Sequence, residues 1–345
     1  MKRILTDIIH FLDQGSQVIL ATIIDHGGST PRTAGARMIV RSDGGICGTV
    51  GGGLLEAQVI AQALDLFKTG AMRLFSFDLG GDHAAGMDMI CGGRVTVLLE
   101  LLRPDSAELD LWRAARKVMD SGGRAVMISE VPDTSVALQR HLVSNQFLVA
   151  GSRLPAILEK AMAHASSSDR AVRIVTMETH RFLIEPIFGG GTVFLFGAGH
   201  VSQQVASLVQ QVDFGCVVLD DRSEFANRQR FPAADEIIVL SSFHNATIDV
   251  IIDQNSYLVI VTRGHRHDET VLAQALKTRT GYIGMIGSRR KRDILYDNLR
   301  RQGVGQADLD RVHCPIGLPI CAETPAEIAV SIVAELIAVR AKTDV

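Results

Sequence analysis

The residue types best suited to chemistry in this 345-residue chain sit in glycine-rich clusters. Cys91 stands directly before Gly92-Gly93 and close to Arg94. Backbone N–H groups and a nearby cation both favour thiolate over thiol, so Cys91 is a candidate reactive sulfur; the alternative is a small buried residue in a turn. Gly51, Gly52 and Gly53 precede a helical pattern with Glu56 in its first turn. Consecutive glycines before a helix leave N–H groups available to an anion, aided by the helix dipole. The competing reading is a tight turn capped by Glu56 itself.

A further cluster follows an apolar run, Val193 to Phe196. Gly197-Ala198-Gly199 turns the chain, and Val201, Val205, Leu208, Val209 and Val212 recur at helical spacing. A second run, Cys216 to Leu219, ends in Asp220-Asp221-Arg222. Strand, Gly-x-Gly turn, helix, strand and terminal acid form a dinucleotide-type βαβ unit. Gly197 allows the tight turn, Gly199 lets N–H groups and the helix start at His200 approach a phosphate, and Asp220 is placed for a ribose hydroxyl. Ser202 stands where the fingerprint has its third glycine, so helix and strand are expected slightly further apart. Fold does not fix ligand, so NAD(P) is an alternative rather than a conclusion.

These clusters imply the elements that carry them. Further strands are expected at Glu236–Leu240, Tyr257–Thr262 and Tyr282–Ile286, alternating with helices that reach about Lys277 and Arg301. That alternation predicts a parallel sheet covered on both faces, with ligands at the carboxyl ends of its strands. Arg263–Asp268 and Gly287–Arg292 fall at such ends, beside Gly197–His200 and Asp220–Arg222. Ser288 and Arg289 thus join the candidate binding residues, and His265 is the candidate acid or base. A metal at His265-x-His267-Asp268 needs a further ligand, with His200 and His313 as the candidates; a hydrogen-bonding loop is the commoner meaning. The basic run Arg289–Arg292 opens a helix, where cations oppose the dipole and an anionic ligand or partner would relieve them.

The first half reads as α+β. Helices are expected at 4–14, Leu54–Phe67, Asp105–Asp120 and Leu154–His164, and strands at Gln17–Ile24, Ala36–Val40, Arg73–Asp78, Val95–Leu102, Ala125–Val131, Phe147–Ala150, Val172–Met177 and Arg181–Pro186. Asp25 to Thr33 reads as an irregular loop. Pro186 and Gly189-Gly190-Gly191 mark a boundary, giving domains 1–188 and 189–345. The fold class is therefore α/β, with a C-terminal Rossmann-like parallel sheet behind an α+β N-terminal domain.

Composition narrows the function classes. A net charge of −3 gives no general attraction to nucleic acid or anionic membranes, and no apolar run reaches the length of a membrane span. The amphipathic start, with Asp7, His10 and Asp13, is unlike a signal peptide, so the cytoplasm is the expected location. Cys47, Cys91, Cys216, Cys314 and Cys321 form no CxxC pair, which argues against a disulfide framework and a structural zinc site.

Taken together, these motifs resemble the XdhC/CoxI family, accessory factors of xanthine dehydrogenase and related molybdenum hydroxylases. The resemblance rests on Gly28-Ser29-Thr30-Pro31-Arg32, Gly48 to Glu56, Cys91-Gly92-Gly93, Phe196 to Val201, Asp220-Asp221-Arg222, Thr262 to His265, Ile286 to Lys291, His313 to Leu318 and the closing helix from Thr324. It departs at Arg263-Gly264-His265-Arg266-His267, where the family usually has His-x-His after its strand-end threonine, and at Cys321, where the family tends to have glycine. The resemblance implies a chaperone more than a catalyst, with an NAD(P)-dependent oxidoreductase using the Rossmann-like domain as the alternative. Such a chaperone binds molybdenum cofactor (molybdopterin, in some cases nucleotide-extended), protects it during sulfuration and delivers it to an apo-hydroxylase. The implied partners are that hydroxylase, a sulfur-supplying cysteine desulfurase and a second copy in a homodimer. Gly51, Gly52, Gly53, Glu56, Cys91, Gly92, Gly197, Gly199, His200, Asp220, Arg222, His265, Ser288 and Arg289 become its candidate cofactor-binding residues, with Cys91 a candidate molybdenum ligand.

Overall fold

Alternation of apolar residues decides the architecture of the first half. The computed structural model describes residues 1–70, 72–79, 92–121, 123–131, 138–144, 147–151, 172–248 and 250–342, apart from the side chains of Phe147, His265 and Lys342. The chain divides into two compact units, Met1–Phe188 and Gly189–Val345.

The first unit contains helices α1 (Lys2–Asp13), α2 (Gly53–Thr69) and α3 (Ser106–Asp120), and two five-stranded sheets. One sheet has the order β3 (Ile46–Gly48), β2 (Arg37–Arg41), β1 (Val18–Gly27), β5 (Arg94–Leu102), β4 (Met72–Asp78), all neighbours antiparallel. The other has the order β8 (Phe147–Gly151), β7 (Gln139–Ser144), β6 (Arg124–Glu130), β10 (His180–Phe188), β9 (Arg173–Met177), again antiparallel. Along β1, Ile19, Ala21 and Ile23 pack with Leu55, Val59, Ala63 and Leu66 of α2. Val18 and Leu20 face the opposite way, into a core shared with α1, α3, Met127, Leu142 and Ile187. Period-two alternation thus builds two layers of core from one strand. β1 runs on through Asp25, His26 and Gly27, which the sequence assigns to loop, because they stay paired with β5 beyond a register shift at Ile23/Asp25. Strand β7 was not expected from the sequence. The expected helix at 154–164, the loop at 80–86 and Cys91 lie outside the described residues.

The second unit has a six-stranded, wholly parallel sheet. Its order is β13 (Glu236–Val239), β12 (Gly215–Asp220), β11 (Thr192–Phe196), β14 (Ser256–Ile260), β15 (Tyr282–Met285), β16 (Val312–His313). The order reverses between β11 and β14, which is the switch point of a doubly wound sheet. Val193 and Leu195 face α4 (His200–Gln211) and α8 (Pro325–Lys342), while Phe194 and Phe196 face α5 (His265–Ala275) and α6 (Arg289–Arg301). Both faces are buried, which is why the strands read as continuous apolar runs. A short helix, α7 (Gln306–Leu309), precedes β16.

Candidate functional site

At the switch point, Gly197 has φ +111°, and a Cβ there would lie 2.4 Å from the Val261 carbonyl oxygen. Only glycine lets β14 approach this turn so closely. Gly199 precedes α4, and a Cβ on it would meet nothing within 4 Å, so the helix start is open in front of it. Ser202 is fully buried and its hydroxyl donates to the Gly197 carbonyl. The serine thus fastens the turn that the missing third glycine was expected to loosen.

Asp220 is fully buried. Its Oδ2 accepts from the Ala198 N–H at 2.8 Å and from Arg222 Nη2 at 2.9 Å. Its Oδ1 accepts from the Arg222 backbone N–H at 3.0 Å and Nε at 2.9 Å. Burial alone would raise its pKa, but the bonds from Arg222 and Ala198 outweigh it and hold the carboxyl below its ordinary range. The acid expected to meet a ribose is therefore turned onto its own loop. Arg222 stacks 3.8 Å from the centroid of Phe225, and Arg230 lies 4.9 Å from the same ring. Across the loop, Arg263 Nη2 donates to Asp221 Oδ2 at 2.8 Å, joining the ends of β14 and β12.

Asp268, at the start of α5, is wholly buried. It accepts from the Thr262 hydroxyl at 2.6 Å and backbone N–H at 3.2 Å, and pairs with Lys291 of α6. His267 packs on Phe243, and His313 Nδ1 pairs with Glu335 at 2.9 Å. No group of three His, Cys, Asp or Glu able to hold a metal occurs among the described residues. His200 is exposed at the start of α4, and the backbone of His265 begins α5. Ser288 caps α6 by accepting the Lys291 N–H at 3.2 Å. Lys291 and Arg292 of the basic run have carboxylate partners, Asp268 and Asp293, whereas Arg289 and Arg290 are exposed and have none among the described residues.

Three motif segments of the first unit converge. A Cβ on Gly28 would lie 3.1 Å from Cα of Gly93, and one on Gly93 would lie 2.5 Å from the Ser29 carbonyl oxygen. Gly51 sits against Pro31, 3.0 Å from its Cβ by the same measure. Gly92, and with it the chain neighbour of Cys91, is thus held against the Gly28–Arg32 loop. Gly51, Gly52 and Gly53 all have positive φ. Glu56 takes up one of their donors: its Oε1 accepts from the Gly52 N–H at 3.0 Å, and also from the Val50 N–H at 3.2 Å and the Thr49 hydroxyl, while the Gly51 N–H donates to the Thr49 hydroxyl oxygen at 3.1 Å. Burial pushes its pKa up, but these bonds, led by Thr49, outweigh that push and lower it. Glu56 thus closes the turn at Val50 and Gly52.

A buried ionic cluster between the two sheets has no counterpart in the sequence reading. Arg37 pairs with Glu185, and Arg140 with Glu100 and Glu108. The available signal was a charged residue inside each apolar strand.

Profile comparison matches residues 11–78 to the XdhC and CoxI family and residues 193–336 to the XdhC Rossmann domain. The chain belongs to the XdhC/CoxI family. Among its relatives, the uncharacterized protein YqeB of Escherichia coli (strain K12) is 25% identical over 98% of this chain, which spans 46% of that protein, less than half its length. A probable xanthine dehydrogenase subunit of Bacillus subtilis (strain 168) is 25% identical over 97% of this chain and 96% of its own. The molybdenum cofactor insertion chaperone PaoD of Escherichia coli (strain K12) is 22% identical over 98% and 88%. A crystal structure described as a xanthine dehydrogenase from Bacillus halodurans has the same fold, with a TM-score of 0.81 at 24% identity over 97% of this chain and 96% of that one. No described helix of this XdhC/CoxI protein is long and apolar enough to cross a membrane.

Proposed function

We propose that this protein carries molybdenum cofactor as cargo, holds it while a terminal sulfur is installed, and delivers it to an apo-hydroxylase of the xanthine dehydrogenase type. In this reading it acts in the cytoplasm as a homodimer, a cysteine desulfurase supplies the sulfur, and the chain itself breaks no bond. The likeness to an insertion chaperone along nearly the whole chain supports the class of function.

The observation that weighs against NAD is Asp220. NAD would need a free carboxylate for its ribose, and both oxygens of Asp220 are engaged by Ala198 and Arg222. The open helix start at Gly199 still suits a phosphate, with or without a nucleotide extension of the cargo. Fit to the cargo in the first unit centres on the Gly28–Gly93 contact, which fixes the chain beside Cys91, the proposed sulfur contact to molybdenum.

The test is purification from a host that makes the cofactor, with assays of bound molybdenum and of pterin fluorescence after oxidation. Both should co-purify in stoichiometric amounts, and Cys91→Ala should lose retention and hydroxylase activation. Absence of both, together with tight NAD(H) binding and turnover, refutes the proposal. Unchanged retention and activation in Cys91→Ala makes that residue structural.

A further inference from the structure

Past the carboxyl ends of β15 and β16, on the far side of β14 from the Gly197–Gly199 turn, lies a cavity of about 650 Å³. It is lined by residues 286–289, by residues 315–322, and by Ile328 and Ser331 of α8. That volume lies in the range of small-molecule sites.

One wall is fixed by the fold itself. The Ile316 N–H donates to the Met285 carbonyl at 3.1 Å, the Gly317 N–H to Glu335 Oε2 at 2.7 Å and the Leu318 N–H to the Ser331 carbonyl at 3.2 Å. Gly317 lies so close to α8 that a Cβ on it would come 2.3 Å from Ser331 Oγ. The segment is thus pinned to both the sheet and the closing helix.

The chemistry of the lining is simple. Ile286, Ile316, Leu318, Ile320 and Ile328 supply aliphatic surface, and Leu318 and Ile320 are 39% and 48% exposed. Among the described lining residues there is no aromatic ring and no carboxylate, and Arg289 is the one charged group. The hydroxyls present serve the fold: Ser288 caps α6, and Ser331 donates to the Leu318 carbonyl at 2.7 Å. Arg289 is exposed and has no carboxylate partner among the described residues, so its guanidinium is the polar anchor that remains.

We infer that this cavity binds an aliphatic monocarboxylate, with Arg289 on the carboxylate and the chain against Leu318, Ile320 and Ile328. A guanidinium matches a carboxylate in both charge and geometry, and one cation balances one negative charge, whereas a phosphate monoester carries nearly two. Aliphatic walls hold a chain by dispersion and desolvation, and without an aromatic neighbour they offer a planar ring no stacking face. The site goes beyond the cargo reading, and neither depends on the other.

The probes are octanoate and its neutral isostere octanamide, added to the full chain. Cys321 is exposed and lines the same cavity, so its alkylation by iodoacetamide, followed by peptide mass spectrometry, reports occupancy at this place. Octanoate should protect Cys321 at about fivefold lower concentration than octanamide, the worth of one exposed ion pair. Lengthening hexanoate to octanoate should tighten protection about tenfold, from two further buried methylenes. Arg289→Gln, at an exposed position, should erase the fivefold gap without lowering the melting temperature, and Ile320→Ser should weaken the dependence on chain length. Failure to protect Cys321, affinity independent of chain length, or a gap that is absent or survives Arg289→Gln overturns the inference. So does equal protection of the half-buried Cys47, since the acid would then act on the whole fold rather than on this cavity.

Discussion

Glu100 offers a direct test of the physics between the two sheets of the first unit. It lies on β5 opposite Leu20, buried, with Arg140 on its Oε1. Arg140 also donates to Glu108 at 3.0 Å, and its guanidinium lies 5.2 Å from the Trp112 ring. Burial pushes the Glu100 carboxyl up, Arg140 opposes this, and Glu185 and Glu108 add to the rise, bringing it from 4.5 to about 7. The folded state therefore holds this proton more tightly than the unfolded chain does. Its contribution to stability is greatest below pH 4.5 and is lost as pH rises through 7. At about 1.4 kcal/mol for each pH unit, the loss is on the order of 3 kcal/mol, or roughly 6–12 °C in melting temperature for a unit of this size. Thermal melts from pH 5 to pH 8 should show that decline. Glu100→Gln should flatten it, because the neutral amide keeps a hydrogen-bond acceptor for Arg140 while Glu108 keeps its charge balanced. An identical slope in wild type and Glu100→Gln would refute the reasoning.

Other changes read out other parts of the fold. Glu335 accepts from Tyr282 at 2.6 Å, the Gly317 N–H at 2.7 Å and His313 at 2.9 Å. Burial pushes its pKa up, but these bonds, led by His313, outweigh that push and lower it, so Glu335 stabilises at neutral pH and the benefit is lost in acid; Glu335→Gln should remove that acid sensitivity in melts from pH 3 to pH 6. Lys291→Met leaves the buried Asp268 charge without its ammonium partner and should cost about 3 kcal/mol by urea titration, with partial recovery on adding Asp268→Asn. Gly197→Ala places a methyl against the Val261 carbonyl at positive φ and should cost about 2 kcal/mol or more in the same assay. Cys321 has φ +57°, so Cys321→Gly should stabilise by up to about 1 kcal/mol, read as a raised urea midpoint.

The parallel sheet was legible because its central strands β11, β12, β14 and β15 are buried on both faces and read as apolar runs; the two-residue edge strand β16, half-buried, carries no such run and was not legible. The fate of a polar group was less legible, because it depends on distances that residue types do not encode. Gly51-Gly52-Gly53 with Glu56 is compatible with a bound anion and with a capped turn, and the residue types alone do not say that the carboxylate reaches the Val50 and Gly52 N–H groups, as it does. Arg37 and Glu185 each stand out within an apolar strand, yet 148 positions separate them, and their pairing requires both sheets to be assembled first. Cys321 is a case where the sequence carried more than it declared. Cys321 sits at a left-handed backbone position, where a glycine would be unstrained and the cysteine is not.

The same distances bear on which ligand the switch point can admit. The ion pair between Arg263 and Asp221 joins strand ends on either side of β11, and the Arg263 side chain is 44% exposed. The Asp221 side chain is only 16% exposed, so a phosphate that drew Arg263 away would leave a mostly buried carboxylate with Arg222 Nε, 3.9 Å from its Oδ1, as the remaining cation. Asp220 is held by bonds from both backbone and guanidinium donors in a buried setting, and freeing it for a ribose diol would strand those donors. The edge is thus biased by its own hydrogen bonds against the ribose diol contact that NAD needs. A substitution that releases Asp220, Arg222→Ala, should raise affinity for NAD(H) in titration calorimetry, and unchanged affinity would show that Asp220 is not what keeps the dinucleotide out.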